Sequence, residues 1–269
     1  MRFCIVGYGS IGRRHHSVLS SIFSNSSFDI VDLNTELKIE DCIHSEYDVL
    51  IITTPTSSHL DVLSRFSKIN RLIFIEKPLD ISSKKIKKFM GDVDHRKVHV
   101  GCNLRFTNAY RDLQDISHRV KIANIISMSY LPDWRKGDHR EKYSSIISQG
   151  GGALLDFIHE PDYAFSLFGM PNSCHVLEKR LFDITVDSND TCSMVWEYND
   201  KIINFLLSYG SKKYTRSCQV ISDDSELTSI NFSLEDINKS YENQWRHILK
   251  NGPVNTYEDC LRLYHKIGL

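Results

Sequence analysis

The sequence predicts an α/β chain in two parts, a doubly wound parallel sheet followed by an α+β region with an antiparallel sheet. Three observations carry this reading. Up to about residue 100, short apolar runs alternate with helical patterns of ~10 residues, the rhythm of βαβ units. Beyond that point the rhythm changes, and from Cys174 onward strand candidates follow one another with only short turns between them. Between the first strand candidate and the first helix lie Gly7, Gly9 and Gly12, spaced as G-x-G-x-x-G. The domains are expected to be residues 1–100 and 101–269.

In the first part "RFCIV" is a strand, "SIGRRHHSVLSSIF" a helix and "FDIVD" a weaker strand. "DVLIITTP" is a strong strand ended by Pro55, and "SSHLDVLSRFSK" a helix. "RLIFIE", "ISSKKIKKFM" and "KVHVGCN" continue the alternation as strand, helix and strand. In the second part "TNAYRDLQDISHRV" reads as helix and "KIANIISMSYL" as a long strand, while "PDWRKGDHREKYSSIISQGGG" is polar and irregular. The strand candidates "CHVLEKRLFDI", "DTCSMVWEY", "KIINFLLSYG" and "RSCQVIS" are separated by the turn-like "SND", "YNDK" and "GSKK". "SLEDINKSYENQWRHILK" and "YEDCLRLYHKI" close the chain as helices.

Composition narrows the function classes. With 33 basic and 34 acidic side chains and a formal net charge of −1, no global field favours nucleic acid. No apolar run approaches the ~20 residues that span a bilayer, so no membrane partner is expected. The first residues run straight into "RFCIVG", without the pattern of a secretory signal. The seven cysteines are odd in number, dispersed and free of any C-x-x-C pair, which argues against a disulfide framework and a zinc site. A reducing cytoplasm is the expected location.

The glycine turn has a specific mechanism. Gly7 permits the tight turn, Gly9 lets the backbone approach a pyrophosphate, and Gly12 allows close helix packing. The helix beyond offers N–H groups and its positive end to phosphates. These are the marks of a Rossmann dinucleotide-binding domain. Asp32 ends the next strand candidate, about 20 residues on, where a carboxylate binds a ribose 2′-hydroxyl and favours NAD. It also fits an ordinary turn aspartate. Arg13 and Arg14 are placed to reach a 2′-phosphate, so NADP stays open.

A second cluster is "SQGGGALLDFIHEPD", where Gly150, Gly151 and Gly152 precede Asp156, His159 and Asp162. On a continuous helix Asp156 and His159 would share a face. A carboxylate beside an imidazole fixes its tautomer and raises its basicity, as a proton-transfer histidine needs. The same residues also fit a helix start with a capping aspartate and a core histidine.

Taken in order and spacing, "GYGSIGRRH", "TTPTSSH", "FIEKPL", "GCNLRF" and "GGGALLDFIHEPDYAFSLFG" resemble the Gfo/Idh/MocA family of NAD(P)-dependent oxidoreductases. The resemblance runs from Met1 to about Gly169 and more loosely beyond. It implies an N-terminal Rossmann domain and a C-terminal domain on an open, largely antiparallel sheet. It implies that Gly7, Gly9, Ser10, Ile11, Gly12, Asp32, Thr53, Thr54, Pro55, His59, Glu76 and Lys77 line the cofactor. Lys77, Asp156 and His159 match the family's catalytic groups. "YLPDWRKGDHREKYS" looks like a loop of one subgroup associated with bacterial surface-sugar gene sets, and Asn103, Arg105, Trp134, Arg135, Arg140 and Tyr143 become the expected substrate contacts. Guanidinium groups with aromatics suit a sugar bearing a carboxylate, phosphate or nucleotide. A solvated charged loop is the plainer reading of the same run.

The chain also departs from the pattern. It has D-x-x-H where many members have D-x-x-x-H, Thr107 stands where the subgroup has histidine, and the chain is short for the family, so trimmed loops are expected. Pro161 should kink or restart the helix just beyond His159. The expected chemistry is hydride transfer between a nicotinamide and a carbinol carbon of a sugar, sugar acid or nucleotide sugar. His159 or Lys77 would manage the proton. The alternatives are an NAD-using glycosidase-like hydrolase with no net redox change and a non-catalytic dinucleotide or sugar binder. "KIINFLLSYG" is too apolar to stay wholly wet, which predicts a homo-oligomer through the second sheet.

Overall fold

The apolar runs of the first hundred residues become five parallel strands: β1 (Arg2–Val6), β2 (Ser27–Val31), β3 (Val49–Ile52), β4 (Leu72–Ile75) and β5 (Val98–Val100). Their order is β2-β1-β3-β4-β5. Phe3 to Val6 and Val49 to Ile52 are buried at every position, as strands covered on both faces must be. The connecting helices are α1 (Ser10–Ile22), α2 (Ile39–Cys42), α3 (His59–Arg65) and α4 (Ser83–Phe89). Strand order reverses between β1 and β3, and such a switch point opens a crevice at the carboxyl ends of the strands.

The computed structural model describes residues 1–66, 71–89, 94–134, 137–184 and 186–269. They form two compact units, Met1–Asn103 with Lys239–Tyr264, and Leu104–Asn238 with His265–Leu269.

The second unit opens with α5 (Asn108–Ile116), capped by the Thr107 hydroxyl, which accepts the Tyr110 N–H at 3.1 Å. Next come β6 (Val120–Tyr130) and two short helices, α6 (Ala153–Asp156) and α7 (His159–Phe168). Five strands complete it: β7 (Ser173–Lys179), β8 (Thr191–Glu197), β9 (Ile202–Ser208), β10 (Gly210–Ser222) and β11 (Leu227–Asn231). The sheet order is β11-β10-β6-β9-β8-β7, and every pair is antiparallel except β6 with β9. Along β6, Ala123, Ile125 and Ser127 are buried while Ile122, Asn124 and Ile126 face outward, the period of two that one covered face imposes.

The observed sheet is largely antiparallel, as expected, with three local differences. "GSKK" is not a turn but the start of β10, which pairs with β6 across a register shift between Gly210 and Thr215. β9 and β10 are not a hairpin: only Tyr209 separates them in sequence, yet β6 lies between them in the sheet. "LTSIN", which is too polar to stand out, forms β11 on the edge.

The closing helices are α8 (Leu234–Asn251) and α9 (Tyr257–Lys266). From Lys239 to Tyr264 they belong to the first unit, burying Trp245, Tyr257 and Tyr264 there. A division by chain order alone does not contain this return. Among the described residues no disulfide forms, and no helix is long and apolar enough to cross a membrane.

Candidate functional site

At the carboxyl edge of the first sheet, four of the five strands hand the chain directly to a site candidate. Gly7 follows β1, Asp32 follows β2, Thr53 follows β3 and Glu76 follows β4. Gly7 has φ +95°, and a β-carbon there would lie 2.6 Å from the Thr54 nitrogen, so only glycine fits. Thr53 Oγ1 donates to the Gly7 carbonyl at 2.5 Å and ties the ends of β1 and β3 together. A β-carbon on Gly12 would strike the Gly7 carbonyl, which explains the third glycine as close packing of α1. Gly9 is different, because a β-carbon there would meet nothing within 4 Å. The space over Gly9 is open, as backbone approach to a pyrophosphate requires.

Gly9 caps α1 with no side chain to engage the first-turn N–H groups, and no acidic residue sits in that turn. Ser10 is exposed and Ile11 half-buried beside it. Asp32 Oδ2 accepts the Tyr8 N–H at 2.5 Å, joining the end of β2 to the glycine turn. The Thr35 hydroxyl accepts the Asp32 N–H at 2.8 Å and holds its backbone. Arg13 donates to the Tyr8 carbonyl at 2.8 Å, and Arg14 lies over the Tyr241 ring. The two arginines are thus engaged within the chain. The residues present fit a dinucleotide with a free ribose diol.

His59 takes another place than the sequence gives it. It is buried, with Nδ1 2.9 Å from the Pro78 carbonyl and Nε2 2.7 Å from the Thr54 carbonyl. Burial pushes this imidazole below its ordinary value despite those carbonyls. Both nitrogens face carbonyls and a neutral ring carries one N–H, so it donates to one of them and packs against the other, between the Thr54–Pro55 turn and Pro78. Pro55 itself is exposed. Glu76 is also engaged: Oε1 faces His15 Nε2 at 2.8 Å and Oε2 accepts the Lys77 N–H at 3.1 Å. Burial alone would raise this carboxyl, but the His15 hydrogen bond and the Lys77 charge outweigh it and hold it below the usual carboxylate range. Lys77 is half-buried and joined to Pro78 by a cis peptide bond.

In the second unit Asp156 is the centre of a built cluster. Tyr143 donates to its Oδ1 at 3.0 Å and Tyr209 to its Oδ2 at 2.6 Å. The Gly152 N–H donates to the Tyr209 hydroxyl at 3.2 Å, from a glycine at φ +125°. Burial, then the Asp156 charge, raises the Tyr209 hydroxyl well above the ordinary phenol range, so it remains a donor. Trp134 stands edge-on to Tyr209 and Phe157, with centroids 5.3 and 5.7 Å away, and its indole donates to Ser129. Tyr209 escapes sequence reading because nothing local marks the end of an apolar run as the partner of a carboxylate 53 residues earlier.

Asp156 and His159 do not share one helix. α6 ends at Asp156, Phe157 leaves helical geometry at φ −96° and ψ 27°, and α7 restarts at His159. The restart precedes Pro161, which sits in the first turn of α7, where a missing N–H costs nothing. His159 is buried, as is the next residue, Glu160, whose Oε1 lies 2.8 Å from Arg216 Nε.

Three expected substrate contacts are committed elsewhere. Arg105 forms a bidentate pair with Asp162 at 2.8 and 2.7 Å, both side chains 9% exposed. The Asn103 amide donates to the Ser240 hydroxyl at 2.9 Å within the first unit. Arg140 is exposed and paired with its neighbour Asp138. Arg135 lies outside the described residues. Among the described residues no group of three or more His, Cys, Asp or Glu side chains is set to hold a metal.

No protein-family model matches the chain. It is 25% identical over 186 residues to the inositol 2-dehydrogenase of Rhizobium meliloti (strain 1021), a match covering 63% of this chain and 55% of that protein. It is 28% identical over 189 residues to the scyllo-inositol 2-dehydrogenase (NAD(+)) of Bacillus subtilis (strain 168), covering 63% and 54%. These matches span about half the length of either relative. Among solved structures, a myo-inositol dehydrogenase from Corynebacterium glutamicum ATCC 13032 superposes with a TM-score of 0.82 at 16% identity, covering 100% of this chain and 94% of that one. The WlbA dehydrogenase from Bordetella pertussis, in complex with NADH and UDP-GlcNAcA, superposes with a TM-score of 0.79 at 15% identity, covering 100% and 95%. At such identities the structures establish the shared fold.

Proposed function

We propose, for this chain that belongs to the Gfo/Idh/MocA family, an NAD-dependent oxidoreductase acting on a carbinol carbon of a sugar or cyclic polyol. The observation that carries the reading is the glycine turn, open over Gly9 and joined to the strand-end Asp32 through the Tyr8 N–H. Asp32 Oδ1 makes no hydrogen bond among the described residues and suits a ribose hydroxyl. A 2′-phosphate there would meet the carboxylate's charge, so NAD is favoured over NADP. The names of the relatives, inositol dehydrogenases, support a cyclic polyol as substrate class; a sugar acid or nucleotide sugar of surface carbohydrate metabolism is the narrower version, supported by the "LPDWRKG" likeness.

When bound, the nicotinamide supplies the hydride acceptor or donor. His159 takes the hydroxyl proton in oxidation and returns it in reduction, Asp156 orients that exchange, and Lys77 hydrogen-bonds the reacting oxygen as charge develops on it. Incubation with NAD and an inositol and sugar-acid panel should form NADH, seen by its absorbance. Lys77→Met and His159→Asn should each lower turnover ~100-fold. Sugar release without net NADH would favour the hydrolase instead, and dinucleotide binding with no exchange of label into any polyol would favour a sensor.

The outward face of the second sheet is proposed to pair with a second copy of the chain. Ile122 lies opposite Ile202, and Ile126 opposite Leu206, with Ile202 45% and Leu206 40% exposed. A monomer by light scattering at micromolar concentration would remove this pairing.

A further inference from the structure

We infer that Trp245, on the returning helix α8, is a positioning residue for Lys77, acting through His15 and Glu76. The inference rests on the role given to Lys77 above, but its links lie within the first unit and each has a single polarity. An indole N–H only donates. Trp245 Nε1 lies 2.9 Å from His15 Nδ1, so Nδ1 is the acceptor and carries no proton. The ring's proton therefore sits on Nε2, which faces Glu76 Oε1 at 2.8 Å and donates to it. The other carboxylate oxygen accepts the Lys77 N–H at 3.1 Å.

The relay has little room to rearrange. His15 is fully buried, with Phe74, Tyr241 and Trp245 edge-on at centroid distances of 4.8, 5.8 and 5.6 Å. Gly101 walls the carboxylate, since a β-carbon there would lie 3.2 Å from Glu76 Oε2. The Glu76 carboxylate keeps the proton on Nε2, so removing the indole N–H leaves Nδ1 without its donor and the ring held through one hydrogen bond, about which it can pivot. The carboxylate follows the ring and loosens its hold on the Lys77 amide. A long, rotatable lysine stem directs its ammonium only if its backbone is fixed, and errors of about 1 Å at a reacting atom cost on the order of 100-fold in rate.

Trp245→Phe keeps an aromatic ring against Phe74 and removes only the donor. In the ¹⁵N-labelled chain, His15 should show a protonated Nε2 and a bare, hydrogen-bonded Nδ1, and Trp245→Phe should shift the Nδ1 resonance to that of an unbonded lone pair while Nε2 stays protonated. Amide exchange at Lys77 should quicken ~10-fold in that variant while Ile75 in β4 stays slow, separating positioning from general loosening. His15→Gln, with one donor and one acceptor, should keep the slow exchange, and His15→Leu should lose it. With NAD and myo-inositol, the Trp245→Phe kcat should fall ~10-fold and the NAD dissociation constant stay within about twofold. A protonated Nδ1 in the parent protein, or a shifted Nδ1 resonance in Trp245→Phe with unchanged Lys77 exchange, overturns the relay. Should the relay hold while Lys77→Met leaves turnover intact, the function assigned to Lys77 falls and the relay stands.

Discussion

Glu76 and Asp156 are both carboxylates withdrawn from water, and the chain satisfies them by different means. Glu76 receives nitrogen donors, an imidazole and the amide of the next residue, and is held below the usual carboxylate range. Asp156 receives two phenols, one from the buried Tyr209 and one from the half-buried Tyr143. Asp162, in the second unit, takes a guanidinium in a closed bidentate pair. Partner chemistry separates their roles. An amide and a guanidinium lock backbone and helices in place, whereas two phenol hydroxyls orient the Asp156 carboxylate from either side.

The largest effect should come from opening the closed pair. Arg105→Leu strands Asp162 and should cost about 3 to 5 kcal/mol in urea denaturation, most of it recovered by adding Asp162→Leu. If that single change spares stability and weakens polyol binding, Arg105 is a ligand contact after all. Asp156→Leu should lower turnover ~100-fold with the fold retained by circular dichroism. Tyr209→Phe should cost about 1 kcal/mol and a smaller share of turnover. Equal losses from Tyr209→Phe and Asp156→Leu would blur the line between orienting group and reacting group.

Glu76→Gln sharpens the comparison through pH. A carboxyl depressed by folding stabilises fully above its unfolded value, and that contribution disappears as pH falls through its folded value. The variant should be less stable than the parent at neutral pH and converge with it in acid, measured as urea midpoints from pH 7 downward. Parallel curves across that range would remove the charge of Glu76 from the account. The smallest effect belongs to Arg140→Ala, whose guanidinium is exposed on Asp138 and should leave the melting temperature unchanged.

Much of this frame is legible in the sequence, for a physical reason. Strand ends and glycine turns are local, so the alternation up to residue 100 places Gly7, Asp32, Thr53 and Glu76 on one sheet edge before any partner is known. Partner choice is not local. His15 finds Glu76 across 61 residues and Trp245 across 230, and no periodicity encodes either bond. For the same reason Arg105, which reads as an anion binder by type, proves to be paired with Asp162, and Tyr209 reads only as the end of a strand. Spacing also misleads at Asp156 and His159, because a three-residue interval implies one face only where the helix is unbroken.

The return of Lys239–Tyr264 to the first unit sets the order in which a nascent chain can finish it. When the ribosome has released the first hundred residues, the five parallel strands are present but His15 lacks Trp245, the Cys102 amide lacks Gln244 and Asn103 lacks Ser240. The segment translated first is therefore among the last to be sealed. A fragment cut at Asn103 should behave as a loosened sheet with unmet polar groups, and adding the α8–α9 peptide in trans is the way to close it.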